Sequence, residues 1–494
     1  MIGSFPLAAK RRRIDRRRLA FIALGIVLFL AIYLSPPWGD ATDPVKGAVP
    51  LTREGKAALG LFGLTIVWWV AEVIPIGVTS IAIAVVQSLF LIRPAKEAFS
   101  DFMDPSVWFI FGSIIFGMVF TKTGITKRLA YKMLVLVGER TTMIYLGAFC
   151  LTAGLTLIMA HTAVAATVFP LLMAIYSLYD GDGRPTRFGK GLFIGMAFSA
   201  GAGSIITLLG AARGAVAIGF FKDIAGREIS FLELTKFMAP MGVVMTLLTW
   251  VFIAVAYRPE RAAMPGLRER ARELYATLGP LSPTERLTLA IVGAIVVLLA
   301  SQTLMPALAF LNKSAVILTG TLLFFLFRIL DTDDLENMPW NIILLFGGAM
   351  SIGFCLWQTG AARWLALKWL VLFHTAPPFV FILALTVFVL IMTNFIMNVA
   401  AIAISLPVAI VMAQYLGVAP EVILFASLTA AGMPFLLLIG AAPNAIAYGS
   451  RQFSSRDFFL AGVPMTLLLL GVVALFVKFV WPWMGMPILT SPGP

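Results

Sequence analysis

The chain has 494 residues, of which 60% are hydrophobic and 12% are charged, and its formal net charge is +13. Soluble domains carry roughly 45–50% apolar and about 25% charged residues, so this composition excludes a soluble globular protein. Apolar stretches of the roughly 20 residues that cross a bilayer recur along the chain without period-two alternation, which excludes a transmembrane β-barrel and predicts an all-α polytopic membrane protein.

A basic arm, residues 1–18, precedes the first apolar stretch. Seven lysines and arginines lie between Lys10 and Arg18, against one acidic residue, Asp15. Basic residues accumulate on the cytoplasmic side of membrane proteins and attract anionic lipids, so we predict that this arm is cytoplasmic and contacts the bilayer of the cell inner (plasma) membrane. An arm that binds nucleic acid is the less favoured alternative, so we expect no nucleic-acid partner.

The first half of the chain is residues 19–257. Its predicted spans lie near 19–35, 56–73, 76–93, 105–125 and 234–257. The apolar region over about 142–178 is too long for one span and is basic at both ends, which predicts a re-entrant hairpin that enters and leaves on the cytoplasmic side. Residues 190–221 are predicted to form a helix that is broken at Leu209-Gly210-Ala211-Ala212.

The second half, residues 285–494, follows a hydrophilic loop over 258–284 whose five arginines predict a cytoplasmic location. Its predicted spans lie near 285–303, 314–330, 341–360 and 458–482. A second re-entrant hairpin is predicted over about 377–415 and a second broken helix over about 420–449. The total is about eleven transmembrane helices plus two hairpins, which places the C-terminus outside.

The two halves repeat each other. Matching segments 235 to 237 residues apart are Phe111-Gly112 with Phe346-Gly347, Thr123-Gly124 with Thr359-Gly360, Thr156 with Thr393, and Ala160-His161-Thr162 with Met397-Asn398-Val399. An odd number of predicted crossings separates the copies, so the second copy is inverted in the membrane. Inverted repeats with hydrophobic segments interrupted by Gly or Pro are typical of secondary transporters, whose binding sites lie near the bilayer midplane.

The two helix breaks, Leu209-Gly210-Ala211-Ala212 and Gly440-Ala441-Ala442-Pro443, are the predicted binding elements. A break frees backbone groups that hydrocarbon cannot satisfy. Freed carbonyls can coordinate a cation, and the N-termini of half-helices present N–H donors and positive partial charge to an anion. The alternative is that the breaks are packing kinks, but their occurrence in both copies favours binding.

Two motifs identify a family resemblance. Trp68-Trp69-Val70-Ala71-Glu72-Val73-Ile74-Pro75 resembles the Trp-Trp-x-x-Glu-x-x-Pro signature of the divalent anion/sodium symporter family of carboxylate and sulfate transporters. Gly440-Ala441-Ala442-Pro443-Asn444-Ala445-Ile446-Ala447-Tyr448-Gly449 is similar to that family's second broken helix. The resemblance covers almost the whole chain. It implies a small anionic substrate, Na+ as the coupling ion, a homodimer and elevator-type alternating access.

The resemblance also implies two groups of site residues. The residues implied in substrate binding are His161, Thr162, Arg213, Asn398, Val399, Pro443 and Asn444. The residues implied in sodium binding are Thr156, Ala160, Gly210, Thr393, Met397, Asn398 and Ala441. The second sodium site, with Thr393, Asn398 and the backbone around Ala441, is the better preserved.

The chain departs from the family pattern at several of these positions. Of the six Ser-Asn-Thr positions at the hairpin tips, only Thr162 and Asn398 keep the family residue, and Arg213-Gly214 stands where the first broken helix usually has Pro-Asn. Arg213 could replace the first sodium as a tethered cation, bind the substrate in a bidentate fork, or serve structure alone. His161 could donate to an anion, carry a proton, or stay neutral in the hairpin tip.

We therefore predict a secondary active transporter of small anions, with di- or tricarboxylates ranked before sulfate or a sulfonate, coupled to sodium through a reduced set of ion sites. The alternative within the fold is a sodium-independent exchanger. An intramembrane enzyme is less favoured, because the acidic stretch Asp331-Thr332-Asp333-Asp334 stands alone and is interpreted as a short solvated loop. A channel is less favoured because the sequence has no carbonyl-filter segment.

Overall fold

The computed structural model describes residues 16–43, 47–71, 73–179, 185–305, 308, 311–373, 376–395 and 398–490. Within these ranges the chain is helical apart from one small hairpin of two antiparallel strands. Nine helices of the described part are long and apolar enough to cross a membrane. The predicted all-α polytopic fold is confirmed.

The described residues of the first half form twelve α-helices and the strand pair. Their bounds are α1 (Arg16–Leu34), β1 (Ala41–Asp43), β2 (Gly47–Val49), α2 (Arg53–Val70), α3 (Ile76–Leu89), α4 (Ala95–Ser100), α5 (Pro105–Thr123), α6 (Ile125–Val137), α7 (Thr141–Leu155), α8 (His161–Tyr179), α9 (Arg187–Gly203), α10 (Ala212–Ala225), α11 (Phe231–Ala256) and α12 (Leu267–Thr277). The predicted first hairpin is therefore α7 and α8, and the predicted first broken helix is α9 and α10.

In the second half, the part of the chain that the structure describes forms eleven α-helices. Their bounds are α13 (Pro283–Leu304), α14 (Lys313–Leu326), α15 (Thr332–Glu336), α16 (Trp340–Gln358), α17 (Ala361–Phe373), α18 (Pro378–Phe395), α19 (Asn398–Tyr415), α20 (Pro420–Gly432), α21 (Ala442–Tyr448), α22 (Ser455–Leu475) and α23 (Trp481–Trp483). Here α18 and α19 form the second hairpin, and α20 and α21 form the second broken helix. A single π-helical turn over 476–480 joins α22 to α23.

Several helices start where the sequence supplies a capping residue. Asp104 accepts a hydrogen bond from the backbone N–H of Ser106 at the start of α5, and Pro105 follows it as the first helical residue. Ser282 and Glu285 form a capping box at the start of α13. These side chains satisfy N–H groups that have no partner inside the helix, so they fix where the helix begins.

The repeat is visible in the packing. In one copy α3 packs against α16. In the other copy α14, the counterpart of α3, packs against α5, the counterpart of α16. In the same way α8 packs against α21, and α19 packs against α10. The core lies at α9, α19 and α20, which are buried along almost their whole length, whereas α1 is mostly exposed and has no counterpart in the second half.

The turns that end α3 and α14 have the same backbone conformation. Leu91 and Arg328 lie in the left-handed region, with φ of 54° and 55°. The next residues, Ile92 and Ile329, each donate a backbone hydrogen bond of 2.9 Å to the carbonyl five residues earlier. This is the Schellman helix end, which usually has glycine at the left-handed position.

Two segments interpreted as loops contain helices. The polar segment 258–284 holds α12, which packs against the basic helix α6. The acidic stretch that begins at Asp331 forms α15 with its own capping box, and Lys122 of α5 contacts both Asp331 (3.0 Å) and Asp334. The interpretation of Asp331-Thr332-Asp333-Asp334 as a loop was therefore wrong, because the capping side chains stabilise a short helix.

Glu260, which follows α11, links this helix to the end of α8 and the start of α9. Its carboxylate accepts hydrogen bonds from the backbone N–H groups of Arg187 (2.6 Å) and Phe188 (3.3 Å) at the start of α9, and from the hydroxyl of Tyr179 (3.0 Å) at the end of α8. Burial raises the pKa of Glu260, but these hydrogen bonds outweigh burial and hold the pKa below its usual value.

This depressed pKa gives a pH-dependent contribution to stability. The contribution is present above the unfolded-state pKa of about 4.3 and is lost as the pH falls through the folded-state pKa. Glu260→Gln is expected to lower the melting temperature by a few degrees at pH 7, and by less at pH 4, when measured by thermal unfolding in detergent. Glu269→Gln, on the exposed side of α12, serves as the control. Equal losses at the two pH values would contradict the role of the Glu260 charge.

Candidate functional site

Four helices begin inside the protein at the hairpin tips and the helix breaks. Helices α8 and α19 begin at the tips, at His161 and Asn398, and α10 and α21 begin after the breaks, at Ala212 and Ala442. Helix α8 packs against α21 and α19 packs against α10, so each hairpin contacts the broken helix of the other copy. The free N–H groups at helix starts favour a bound anion there.

The first hairpin tip is bonded to the first break. The backbone N–H of His161 donates to the carbonyl of Gly210 (2.9 Å), and the hydroxyl of Thr207 donates to the carbonyl of Leu157 (2.8 Å). A Cβ atom at Gly210 would lie 2.7 Å from the carbonyl oxygens of both Thr156 and Ser204. Glycine is therefore required for this approach, which gathers backbone carbonyls at the position predicted for the first sodium.

Arg213 extends into the same break from the second position of α10. Its side chain is 2% exposed, and its Nη2 donates to the hydroxyl of Ser204 (2.7 Å). A Cβ atom built on Gly432, the last residue of α20, would lie 2.7 Å from this Nη2 atom. Among the described residues Ser204 is the only hydrogen-bond partner of the Arg213 side chain, and the buried Nη1 has none. A buried guanidinium without a carboxylate therefore lies between the two broken helices.

The second break is held by two asparagines. The amide oxygen of Asn394 accepts from the backbone N–H groups of Leu436 (2.9 Å) and Leu437 (3.1 Å). The amide nitrogen of Asn444 donates to the carbonyls of Pro434 (2.9 Å) and Leu437 (3.1 Å). These bonds satisfy backbone groups that the break would otherwise leave unpaired in an apolar environment.

The second tip approaches its break as the first does. A Cβ atom at Gly440 would lie 3.0 Å from the carbonyl oxygen of Thr393, and the hydroxyl of Thr393 donates to the carbonyl of Ala431 (3.2 Å). The geometry of the two copies is therefore alike, but their chemistry differs. At the first break the side chains of Arg213 and Ser204 form a hydrogen bond, whereas at the second break the neutral amides of Asn394 and Asn444 form hydrogen bonds with the backbone.

The remaining predicted site residues lie along these four elements. Thr156 is fully buried and its hydroxyl donates to Ala153 of its own helix (2.6 Å). Ala160 and Thr162 are half-buried at the first tip, Asn398 and Val399 are buried at the start of α19, and Pro443 is buried after Ala441, which caps α21. Met397 lies outside the described residues.

Sequence reasoning missed Ser204, Thr207, Asn394 and Gly432. Asn394 adjoins the predicted Thr393, and Ser204 caps α9 five residues before the predicted break, so a polar residue near a break was the available signal. His161 keeps one further feature of a binding group. Its Nδ1 atom is buried and has no hydrogen-bond partner within the described part of the chain.

A family model described as the sodium:sulfate symporter transmembrane region matches residues 46–487. This match spans the tips, the breaks and both repeat copies. The chain belongs to the sodium:sulfate symporter family. Members of this family are transporters, so the protein is a multi-pass membrane transporter of small anions and not an enzyme.

Curated relatives support the same assignment. The chain is 26% identical over 458 residues to the sodium-dependent dicarboxylate transporter SdcS of Staphylococcus saprophyticus, covering 87% of each chain. It is 24% identical over 509 residues to SdcS of Staphylococcus aureus, covering 97% of this chain and 94% of that relative. The matches therefore extend over most of the length of those relatives.

Two solved structures share the fold. The YdaH transporter of Alcanivorax borkumensis aligns with a TM-score of 0.58 at 15% identity, over 94% of this chain and 98% of that one. MtrF of Neisseria gonorrhoeae, described as an antimetabolite efflux pump, aligns with a TM-score of 0.59 at 14% identity, over 97% and 96% of the two chains. At these identities the likeness concerns the fold alone.

Proposed function

We propose that this protein is a secondary active transporter of di- or tricarboxylates that couples to sodium through a reduced set of ion sites. The observation that carries the proposal is the difference between the two breaks. The first break holds the buried guanidinium of Arg213, and the second holds only neutral groups. The SdcS relatives, named as sodium-dependent dicarboxylate transporters, support the substrate class.

The charge of the site suits an anion. The tips and breaks, residues 156–163, 204–213, 393–399 and 433–444, contain no acidic residue and one arginine. The N-termini of α8 and α19 add N–H donors, and the unpartnered Nδ1 of His161 and the side chain of Asn398 lie at those two helix starts. A dicarboxylate that bridges the two tips would place one carboxylate at each helix N-terminus, where the dipole stabilises negative charge.

The sodium sites are expected to differ between the copies. In the second copy Thr393, Asn398 and the backbone at Ala441 supply neutral oxygen ligands, which suit a hard cation. In the first copy the carbonyls of Thr156 and Ser204 meet at Gly210, and the hydroxyl of Ser204 accepts a hydrogen bond from the guanidinium of Arg213. A cation so close would repel a sodium ion, so Arg213 takes the place of the first ion. One sodium at the second site remains.

The protein is further proposed to be a homodimer in the plasma membrane, with a cytoplasmic N-terminus and an external C-terminus. The basic arm over 1–18 and the arginines of 258–284 support this orientation, because they fall on one side of the membrane when the crossings are counted. The dimer rests on the family resemblance.

Uptake into proteoliposomes tests the transport function. Radiolabelled dicarboxylate, tricarboxylate and sulfate are supplied with and without an inward sodium gradient. Dicarboxylate uptake is expected to saturate and to show trans-stimulation, and Asn398→Ala is expected to reduce it more than tenfold. Asn337→Ala, on the exposed end of α15, is the matched control. Flux that does not saturate would indicate a channel and overturn the proposal.

The number of coupled sodium ions is a separate prediction. If Arg213 replaces the first ion, initial uptake rates are expected to rise hyperbolically with sodium concentration, with a Hill coefficient of about one. Titration of sodium at a fixed potential measures this. A sigmoidal dependence would show that Arg213 does not replace an ion, and no dependence at all would identify a sodium-independent exchanger.

A further inference from the structure

An apolar cavity lies behind the return arm of the first hairpin. It has a volume of about 460 Å³ and is enclosed by α6, α8 and α12. Its walls are mostly aliphatic and include Ala130, Leu134, Leu171, Ala174 and Leu274. None of its described lining residues belongs to the hairpin tips or the helix breaks, so the cavity is separate from the proposed substrate site.

The cavity is about as long as one bilayer leaflet is thick. Its lining along α8 runs from Ala166 to Leu178, which corresponds to about 18 Å of helix. Half of the hydrocarbon core is about 15 Å thick. One end adjoins the contact between the hydroxyls of Thr121 and Thr167 (3.2 Å), and at the other end the side chain of Leu178 is 59% exposed. The cavity is therefore open at its surface and long enough to hold part of an acyl chain.

Two cationic side chains line this cavity. Lys127 of α6 and Arg270 of α12 contribute to its lining, together with Tyr131. Lys127 is exposed and has no ion-pair partner among the described residues, and Arg270 makes only an exposed pair with Glu273 (2.9 Å). A lysine and an arginine beside an apolar cleft match the phosphate and acyl chain of an anionic phospholipid.

The second copy provides an internal comparison. A cavity of about 340 Å³ lies at the equivalent place, lined by Leu365 of α17, Phe381 of α18 and Val408 of α19. None of its lining residues is charged. The apolar space is thus common to both hairpins, whereas the cationic rim belongs to the first one.

We propose that the cavity between α6, α8 and α12 binds an acyl chain of an anionic phospholipid, whose headgroup contacts Lys127 and Arg270. Helix α8 also carries His161 at the tip, so the lipid lies directly behind the arm that leads to the substrate site. Lipid binding at this place does not depend on which anion is transported or on how many sodium ions are coupled.

Native mass spectrometry of the purified protein tests the proposal. The protein is delipidated and titrated with phosphatidylglycerol or phosphatidylcholine. The double variant Lys127→Glu/Arg270→Glu is expected to weaken phosphatidylglycerol binding at least about tenfold and to change phosphatidylcholine binding little. The matched control is Lys132→Glu/Arg272→Glu, which reverses exposed charges on the same two helices outside the cavity.

A second variant tests the cavity itself. Ala174→Trp places a large side chain in the cavity and is expected to reduce binding of both lipids. Unchanged phosphatidylglycerol binding in either the charge-reversal variant or Ala174→Trp would overturn the proposal, as would an equal loss in the Lys132 and Arg272 control. If charge reversal prevents folding, Lys127→Gln alone, compared with Lys132→Gln, gives the same decision.

Discussion

Replacement of Arg213 by asparagine is expected to make uptake depend on two sodium ions. The guanidinium lies in the first break, bonded to Ser204, beside the carbonyls of Thr156 and Ser204 that meet at Gly210. Without it these carbonyls face an unoccupied, uncharged space that a sodium ion can enter. The Hill coefficient for sodium is expected to rise from about one towards two, while the preference among carboxylates stays nearly unchanged.

A direct contact between Arg213 and substrate would give a different result. A hydrogen bond to a charged group contributes about 1.5–3 kcal/mol, so its loss would weaken substrate affinity by roughly one to two orders of magnitude. Arg213→Lys would then restore affinity only in part. Binding titrations of wild type and Arg213→Asn with and without sodium separate the two roles, with Arg286→Asn on an exposed helix start as the control. If neither sodium dependence nor affinity changes, Arg213 is structural and both roles are wrong.

Gly210→Ala is expected to reduce transport more than tenfold while the protein remains folded. The new Cβ atom would lie 2.7 Å from two backbone oxygens, those of Thr156 and Ser204, and neither can rotate away as a side chain would. The tip must therefore separate from the break, which lengthens the hydrogen bond between the His161 N–H and the Gly210 carbonyl. Uptake rates of the variant measure the loss of transport, and its size-exclusion profile shows whether it remains folded.

The matched control for Gly210→Ala is Gly293→Ala. Gly293 lies inside α13, and no atom lies within 4 Å of the Cβ that alanine would add. This control is expected to transport at the wild-type rate, because alanine favours helix relative to glycine. Wild-type uptake by Gly210→Ala would show that close contact between tip and break is not needed for transport.

Long apolar helices could be predicted from the sequence because length and apolarity define them. The spans expected near 105–125 and 341–360 lie at Pro105–Thr123 and Trp340–Gln358. Helices α6 and α17 escaped prediction because each follows a span after a single glycine and neither is long and apolar enough to be recognised as a span. Helix α12 escaped because it is polar and its helical form depends on packing against α6.

The partners within the site could not be read from the sequence. Internal repetition located both breaks and placed Arg213 at the first one. That its guanidinium bonds to Ser204 and lies against Gly432 depends on how two broken helices from different halves pack together. Likewise the role of Asn394 could not be predicted, because the two backbone N–H groups that donate to its amide oxygen belong to Leu436 and Leu437, more than 40 positions further along the chain.

The left-handed residues that end α3 and α14 indicate how the two halves of the chain arose. Leu91 and Arg328 occupy equivalent repeat positions with φ values one degree apart, and the hydrogen bonds around them are the same. A non-glycine residue in this region costs roughly 1 kcal/mol, and leucine and arginine have no side-chain chemistry in common. If the two halves had separate origins, the same turn with a left-handed non-glycine residue would not be expected in both. Gene duplication explains it, since the turn was inherited as a backbone shape while the side chains on it diverged.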